Sequence, residues 1–268
     1  MERRKVGNVE VIALVDNIQH YPASTVYPEA GDALRQYSAM VDGEGRLALN
    51  FACFLLIEGN RRTLVDTGWG PEYDGRLLTE LAAAGIALSE IDAVVFTHLH
   101  GDHTGWNFDR ASGAPLFPRA RYLVPRADWD HDAAQQPPPD SFTRDIAPLV
   151  KAGLIDLIDG EHTLSPALTA LPTPGHTPGH TPGHTSVAIN SGGERGFILG
   201  DVVISAIDAA EPAWPNAFEW DTTIAKATRL ATIERLIAER SLVGASHLPV
   251  PGFGRFVRSN GGTAWAPA

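Results

Sequence analysis

Short apolar runs recur along the chain at intervals typical of buried β-strands. They cover residues 9–15, 51–59, 62–68, 92–98, 120–125, 185–190, 196–201 and 242–247. Several are rich in β-branched residues and apolar on both faces, as expected of strands covered by helices or by a second sheet.

Two segments between these runs carry apolar residues at helical spacing. Residues 76–85 group leucines on one side and end at Gly85, a natural residue for the position after a helix. Residues 221–241 begin with Asp221 as the predicted N-cap. Their predicted apolar stripe consists of Ile224, Leu230, Ile233 and Ile237. Strands that alternate with helices predict an α/β fold.

Three stretches lack a clear period: 18–48, the proline-rich 132–142, and 204–220. None has the composition of a flexible linker, so we predict a single domain over residues 1–268. Long loops within one domain often form the walls or lids of binding sites.

Composition narrows the classes of function. The net charge of −11 argues against a nucleic-acid partner and against an anionic membrane surface. Cys53 is the only cysteine, which excludes an intrachain disulfide and a thiolate cluster. The first residues lack the apolar core of a signal peptide, and no apolar run approaches about 20 residues. We expect a cytoplasmic protein with a small-molecule substrate, and a homodimer stays open.

The sequence THLHGDHTGWN at 97–107 concentrates metal-binding side chains. In an extended segment His98 and His100 point to the same side. Asp102 and His103, beyond Gly101, can then face a second position. Imidazole and carboxylate groups suit zinc or another first-row divalent ion. The spacing predicts two adjacent metal sites on one loop, against the alternative of a polar loop with chance histidines.

Three candidate ligands close predicted strands. His98 ends the run 92–98, Asp201 ends 196–201 and His247 ends 242–247. In α/β sheets, binding sites gather beyond the carboxyl ends of strands. We therefore expect these three side chains to converge on one site.

These motifs resemble those of the metallo-β-lactamase-fold hydrolases. The HxHxDH signature is followed, in the family's order, by the TPGH segment, the LGD at 199–201 and the late His247; LVDTG at 64–68 precedes it. The resemblance implies a four-layer αβ/βα sandwich with two divalent metal ions at one edge of the sheets. It implies that His98, His100 and one TPGH histidine hold the first ion, that Asp102, His103 and His247 hold the second, and that Asp201 bridges them. Asp66 resembles the carboxylate that orients a ligating histidine.

The run TPGHTPGHTPGH at 173–184 has one unit more than is usual in the family. In the family the first histidine is the ligand and the second supports it. Counting back from the strand at 185–190 makes His184 the supporting residue and His180 the ligand, 21 residues before Asp201. In the other register His176 is the ligand and the extra unit lies inside the loop.

The charges expected of such a site fit hydrolysis. Two divalent ions carry a total charge of about +4. Asp102, Asp201 and a bridging hydroxide together neutralise about three of these charges, and the remaining positive charge favours an anionic intermediate. The bridging hydroxide is the expected nucleophile, and Asp102 and Asp201 are the expected catalytic residues. The sequence marks no separate general acid, so Asp201 and metal-bound water stay open for that role. Zinc is the expected metal, with manganese, iron and cobalt as alternatives.

The finer resemblance is to the lactonase, arylesterase and phosphotriesterase branch. Thiolate-type zinc β-lactamases have a cysteine where Asp201 stands, and SHLPVPGFGR at 246–255 resembles the end of methyl parathion hydrolase-like members. The expected reaction is cleavage of a lactone, an ester or an organophosphate triester. The alternatives are a β-lactam hydrolase, a mononuclear-iron persulfide dioxygenase, a nuclease, which the charge disfavours, and a histidine-rich tract that binds metals adventitiously. Candidate pocket residues are Trp69, Trp106, Trp214, Phe218, Trp220 and Phe253.

Overall fold

Two seven-stranded mixed sheets face each other in the computed structural model of the chain, which describes residues 1–177, 183–259 and 261–268. The first sheet runs in chain order from β1 to β7. Its strands are β1 (Glu2–Val6), β2 (Val9–Pro22), β3 (Arg46–Glu58), β4 (Arg61–Val65), β5 (Ala93–Val95), β6 (Arg121–Pro125) and β7 (Ile155–Ile158). The first four strands pair antiparallel and the last four pair parallel, with β4 common to both sets.

The second sheet contains the remaining strands of the described residues, in the order β14-β13-β12-β11-β10-β9-β8. They are β8 (His162–Thr163), β9 (Leu168–Pro172), β10 (Thr185–Ser191), β11 (Glu194–Ile198), β12 (Leu242–Gly244), β13 (Phe253–Ser259) and β14 (Gly262–Pro267). Among the described strands of this sheet, only β11 and β12 pair parallel. A parallel pair needs a crossover connection, and the chain between these two strands, which contains two helices, provides it.

The helices lie in the connections between strands. They are α1 (Ala23–Val26), α2 (Leu77–Ala83), α3 (Gly101–Thr104), α4 (Arg126–Ala134), α5 (Ala147–Lys151), α6 (Ala206–Ala210) and α7 (Thr222–Glu239). Short 3₁₀ segments cover Gly31–Met40, Pro71–Tyr73, Leu88–Glu90 and Gly200–Val202, and Phe142–Ile146 is a π-helical turn. No helix of the described ranges is long and apolar enough to cross a membrane.

The apolar core has three main layers of contact. Between the sheets, Phe54 of β3 packs on Phe253 of β13 at 5.6 Å between ring centroids. The outer face of the first sheet is covered by α2 and α5, through residues such as Leu81 and Leu149. The outer face of the second sheet is covered by α7, through Ile233 and its neighbours. This helix–sheet–sheet–helix stacking confirms the predicted four-layer α/β sandwich.

The predicted helix at 221–241 forms, but its predicted apolar stripe is wrong in part. Asp221 is the N-cap, and its carboxylate accepts the backbone N–H groups of Thr223 and Ile224. Ile224 is exposed, as is Leu230, while Arg229 is buried. The reason is that residues 204–220 cover this face of the helix with carbonyl oxygens: the Arg229 guanidinium donates to Pro212 O and Trp214 O and pairs with Glu219.

The three stretches predicted to be irregular contain more structure than expected. In 18–48, β2 continues to Pro22 and β3 begins at Arg46. In 132–142, α4 continues to Ala134. The segment 204–220 includes α6. The extension of β2 and β3 is important for function, because it builds one wall of the cavity described below.

Candidate metal centre

The candidate ligands lie beyond the carboxyl ends of strands of both sheets. The segment after β5 carries His98 and His100 and then enters α3, whose first turn contains Asp102 and His103. Asp201 follows β11 and His247 follows β12. The parallel pairing of β11 with β12 places these two residues side by side at one edge of the sandwich.

A first group of three nitrogen atoms converges beside His100. The Nδ1 atom of His100 lies 3.0 Å from His98 Nε2 and 3.1 Å from His176 Nε2. Burial lowers the pKa of His98 and of His176 well below the ordinary value of 6.5, because a buried cation loses its hydration. Neutral imidazoles offer lone pairs, so this group is suited to a divalent cation.

A second group combines two imidazoles with two carboxylates. His103 Nε2 lies 3.2 Å from Asp102 Oδ2 and 3.3 Å from Asp201 Oδ1, and His247 Nε2 lies 3.1 Å from Asp201 Oδ1. Asp201 also faces the first group, since its Oδ2 lies 3.2 Å from His176 Nε2. The Asp201 carboxylate therefore stands between the two groups. Its Oδ1 faces the second group, and its Oδ2 faces both, since it also lies 3.1 Å from His247 Nε2.

The charges of the second group are coupled. Burial would lower the pKa of His103, but the neighbouring carboxylates, that of Asp201 first, raise it well above 6.5. Burial would raise the pKa of Asp102, but the charge of His103 lowers it to about 2. The carboxylates thus favour positive charge at this position. A divalent ion supplies such charge and replaces the imidazole proton when it binds.

Three candidate ligand histidines are held by hydrogen bonds on the nitrogen that faces away from the two groups. His103 Nδ1 donates to Asp66 Oδ2 at 2.9 Å, and His247 Nδ1 donates to the Asn50 carbonyl at 2.8 Å. His98 Nδ1 lies 3.0 Å from the Thr97 hydroxyl, which is itself bonded to Asp66. These contacts select the tautomer that leaves Nε2 free for a metal.

Asp66 has an uncommon backbone conformation that turns its side chain into the site. Its φ is 61°, and its carboxylate accepts Thr97 N–H at 2.7 Å, the Thr97 hydroxyl at 2.8 Å and His103 Nδ1–H at 2.9 Å. Strained backbone of this kind is common at functional sites. The carboxylate thus joins the segment after β5 to α3.

His184 supports Asp201 from behind. Its Nδ1 donates to the Thr173 carbonyl at 3.1 Å, and its Nε2 accepts the Asp201 backbone N–H at 2.9 Å. Gly200, with a φ of 59°, allows this approach, because a Cβ there would lie 2.5 Å from His184 Nε2. Both ring nitrogens of His184 are therefore occupied, and neither faces the two ligand groups.

The structure places His176 beside His98 and His100, in the position that the sequence analysis gave to His180. His180 lies outside the described residues, so its predicted role is not assigned in the structure. The position of His176 is fixed by the chain before α7: the Trp220 N–H donates to His176 O at 3.2 Å.

The donor set fits two divalent cations. Among the described residues, buried side-chain atoms without a hydrogen-bond partner include His103 Nε2 and Asp201 Oδ1. Both atoms belong to the second group, whose four donor atoms lie within 4.8 Å of one another, as do the three of the first group. Unpartnered buried donors and acceptors are costly unless a ligand satisfies them. Imidazole nitrogen with carboxylate oxygen is the chemistry expected for zinc and its neighbours.

An apolar cavity of about 210 Å³ opens over both groups. Its wall residues other than the candidate ligands are Tyr21, Leu49, Phe51, Trp69, Ile204 and Phe218. Phe51 packs edge-on against the His247 ring at 4.8 Å between centroids and against Trp69 at 5.4 Å. The two groups of candidate ligands therefore face apolar side chains across the cavity.

Four of the predicted pocket residues lie elsewhere. Trp106 Nε1 donates to the buried Asp16 on the outer side of the first sheet. Trp214 packs on Tyr27 and Tyr37, and Phe253 lies between the sheets. Trp220 lines a neighbouring cleft that meets the centre at His100. Trp106, Trp214 and Phe253 therefore pack against other side chains, whereas Trp220 is 65% exposed.

Several cavity residues were missed from the sequence. Leu49 and Phe51 alternate along β3 and face the cavity, but the predicted strand covered only residues 51–59 and left out Leu49. Tyr21 and Ile204 lie in stretches that were predicted to be irregular. The alternation of Leu47, Leu49 and Phe51 is the signal that could have indicated a wall.

Comparison with known proteins agrees with this fold. The model of a family described as the metallo-beta-lactamase superfamily matches residues 52–241. The structure of AidC, a dizinc quorum-quenching lactonase in complex with a product, has a TM-score of 0.85 and 25% identity, over 100% of this chain and 97% of that chain. The hydrolase AbOPH in the beta lactamase superfamily has a TM-score of 0.86 at 24% identity, over 99% and 96%. At that identity the likeness shows the fold alone.

Curated relatives match over shorter stretches. The protein YobT of Bacillus subtilis (strain 168) is 30% identical over 129 residues, which are 46% of this chain and 52% of YobT. Metallo-beta-lactamase domain-containing protein 1 of Mus musculus is 39% identical over 95 residues, 35% of this chain and 31% of that protein. The chain thus spans about half, or less, of the length of these relatives.

Proposed function

Because the chain belongs to the metallo-β-lactamase superfamily, a family of metal-dependent hydrolases, we propose that it hydrolyses lactones or other esters with an apolar acyl group at a binuclear metal centre. The observation that carries the proposal is the pair of ligand groups that share Asp201 and open together into an apolar cavity.

The ligands of the proposed centre divide as the geometry groups them. His98, His100 and His176 would hold the first ion, Asp102, His103 and His247 would hold the second, and Asp201 is near enough to both groups to contribute to each. Two divalent ions at these positions would lower the pKa of a water molecule from 15.7 to about 7 and so supply a nucleophile at neutral pH. Asp66 and His184 hold His103 and Asp201 in place.

The chain contributes orientation and exclusion of water. Phe51, Trp69 and Leu49 cover the approach to the ions, and a less aqueous site strengthens electrostatic stabilisation of an anionic intermediate. Tyr21 is the one hydroxyl-bearing residue among the described residues that line the cavity. An acyl chain fits walls of this kind better than a nucleotide does, and the net charge of −11 points the same way.

Metal content and substrate range test the proposal together. Purified chain would be analysed for bound metals by mass spectrometry and assayed with an acylated lactone, an aryl ester, a dialkyl aryl phosphate triester and a β-lactam. We expect two divalent ions per chain and the highest kcat/KM with the lactone or the aryl ester. Turnover of the β-lactam alone, or one iron ion with uptake of oxygen, would overturn the proposal.

The choice between His176 and His180 has its own test. His176→Ala should remove one ion per chain, because it leaves the first group with two nitrogen ligands, and a site of this kind needs three. Alanine at His180 is the matched control and should leave both ions bound. Loss of an ion in His180→Ala but not in His176→Ala would restore the register that the sequence favoured.

A further inference from the structure

A buried carboxylate outside both ligand groups connects two segments of the chain. Asp128 is the third residue of α4 and is 3% exposed. Its Oδ2 accepts the Leu99 backbone N–H at 3.2 Å, and its Oδ1 accepts the Thr177 hydroxyl at 2.7 Å. Asp128 therefore acts as a tether between the segment after β5 and the segment after β9.

The two tethered segments carry all of the first ligand group. Leu99 stands between His98 and His100, and Thr177 directly follows His176. These histidines come from different sheets, because β5 belongs to the first sheet and β9 to the second. The tether through Asp128 therefore spans the junction across which the three nitrogen atoms must meet.

The chain returns to the same carboxylate at Gly183. A Cβ at Gly183 would lie 1.7 Å from Asp128 Oδ1 and 2.8 Å from Thr177 Oγ1. Only glycine allows the backbone to come this close. The described residues on both sides of 178–182 thus pack against Asp128.

Identical units of the TPGH run consequently have different contacts. The Thr173 hydroxyl lies 2.8 Å from His184 Nδ1, whereas the Thr177 hydroxyl donates to Asp128. The first threonine is linked to the residue that supports Asp201, and the second to the tether of the first ligand group. The repeat in sequence is therefore not a repeat in structure over these residues.

We propose that Asp128 is a positioning residue for the first metal: through Thr177 and the Leu99 N–H it fixes the distance between His176 and the pair His98 and His100. His98 Nε2 and His176 Nε2 lie 3.0 Å and 3.1 Å from His100 Nδ1. Unshared electron pairs this close repel one another, so their spacing requires restraint from outside the group. Partners that orient ligands typically contribute 10- to 100-fold to metal affinity. The inference rests on the proposed binuclear centre.

The test measures metal binding by each ligand group separately, in a parent variant whose other group lacks a ligand. In His247→Ala the second group lacks a ligand, so cobalt binding reports the first group; in His98→Ala the roles are exchanged. Asp128→Asn and Thr177→Val are introduced into both backgrounds. Asparagine places an amide at a position where the side chain must accept two hydrogen bonds. Valine keeps the shape of threonine without its hydroxyl. Affinity and the visible spectrum of bound cobalt are measured by titration.

We expect Asp128→Asn and Thr177→Val to weaken cobalt binding about tenfold or more in His247→Ala and to change its spectrum. In His98→Ala both should leave the affinity within about twofold. The rescue variant Thr177→Ser keeps the hydroxyl and should bind as the parent does. The control Asp132→Asn lies one turn further along α4, where its carboxylate accepts from Gln135, and should also have no effect.

Each other outcome contradicts the inference. Equal losses in both backgrounds, with a lower melting temperature, would mean that Asp128 only stabilises the fold. Unchanged affinity in His247→Ala would overturn the tether while leaving the proposed function intact. A wild-type chain that takes up no cobalt would overturn the proposed function, and this inference with it.

Discussion

Replacing Gly200 with alanine should weaken the metal centre without removing a ligand. Alanine would have to adopt a φ near 59°, and its Cβ would lie 2.5 Å from His184 Nε2. That nitrogen accepts the Asp201 N–H at 2.9 Å. The methyl group must therefore separate the imidazole from the backbone that positions the bridging carboxylate.

The expected magnitude follows from two losses. The left-handed conformation costs alanine about 1–2 kcal/mol, and loss of a buried hydrogen bond costs about 1 kcal/mol. The sum of about 2–3 kcal/mol corresponds to a fall in Tm of about 4–12 °C for a chain of this size. Displacement of a supporting partner should also lower metal affinity by about 10- to 100-fold.

Gly193→Ala is the matched control. Gly193 has a φ of 82°, and a Cβ there would have no atom within 4 Å. This variant therefore carries the backbone strain alone, with an expected loss of about 1–2 kcal/mol and unchanged metal binding. Calorimetric melting of metal-free chain and titration with zinc against a chelator measure both quantities. Equal zinc affinity in the two variants would refute the role assigned to His184.

Three further changes test other parts of the structure. Arg229→Ala leaves Glu219 buried without its cation and should cost about 3–5 kcal/mol in denaturant unfolding; a loss below about 1 kcal/mol would contradict the buried pair. Asp66→Asn should lower zinc affinity at His103 by about 10- to 100-fold with little change in the melting temperature of metal-free chain, and equal effects on both would contradict the orienting role. Phe51→Ala removes about 1.5–3 kcal/mol of apolar contact, so kcat/KM for a long-chain ester should fall about tenfold or more relative to an acetyl ester; an unchanged ratio would exclude Phe51 from the acyl site.

Much of the arrangement of the candidate ligands could be predicted, because the sequence places metal-binding side chains at the ends of predicted strands. His98, Asp201 and His247 each follow an apolar run, and the structure brings them to one edge of the sandwich. The spacing of His98 and His100 in an extended segment also matches the shared side on which they lie. These are local patterns, and local geometry determines them.

Features that depend on tertiary contacts could not be predicted in the same way. Three identical TPGH units give no local reason to prefer His176, whose position depends on bonds to the chain before α7. Asp128 is one of three aspartates in α4, and only its contact with Leu99 and Thr177 distinguishes it. Likewise, the burial of Arg229 depends on carbonyl oxygens of a segment more than ten residues away.

The position of Asp201 between the two ligand groups has a thermodynamic consequence. In the proposed centre, an ion on either side would restrain the same carboxylate. Whichever ion binds first therefore bears the free-energy cost of ordering Asp201, and this changes the binding free energy of the second. Couplings of this kind are typically about 1–3 kcal/mol, or about 5- to 150-fold in affinity. They are also reciprocal: the factor by which the first ion changes the affinity for the second equals the factor in the reverse order. Metal uptake should therefore follow a linked isotherm rather than two independent ones, and any change at Asp201 should alter both constants at once.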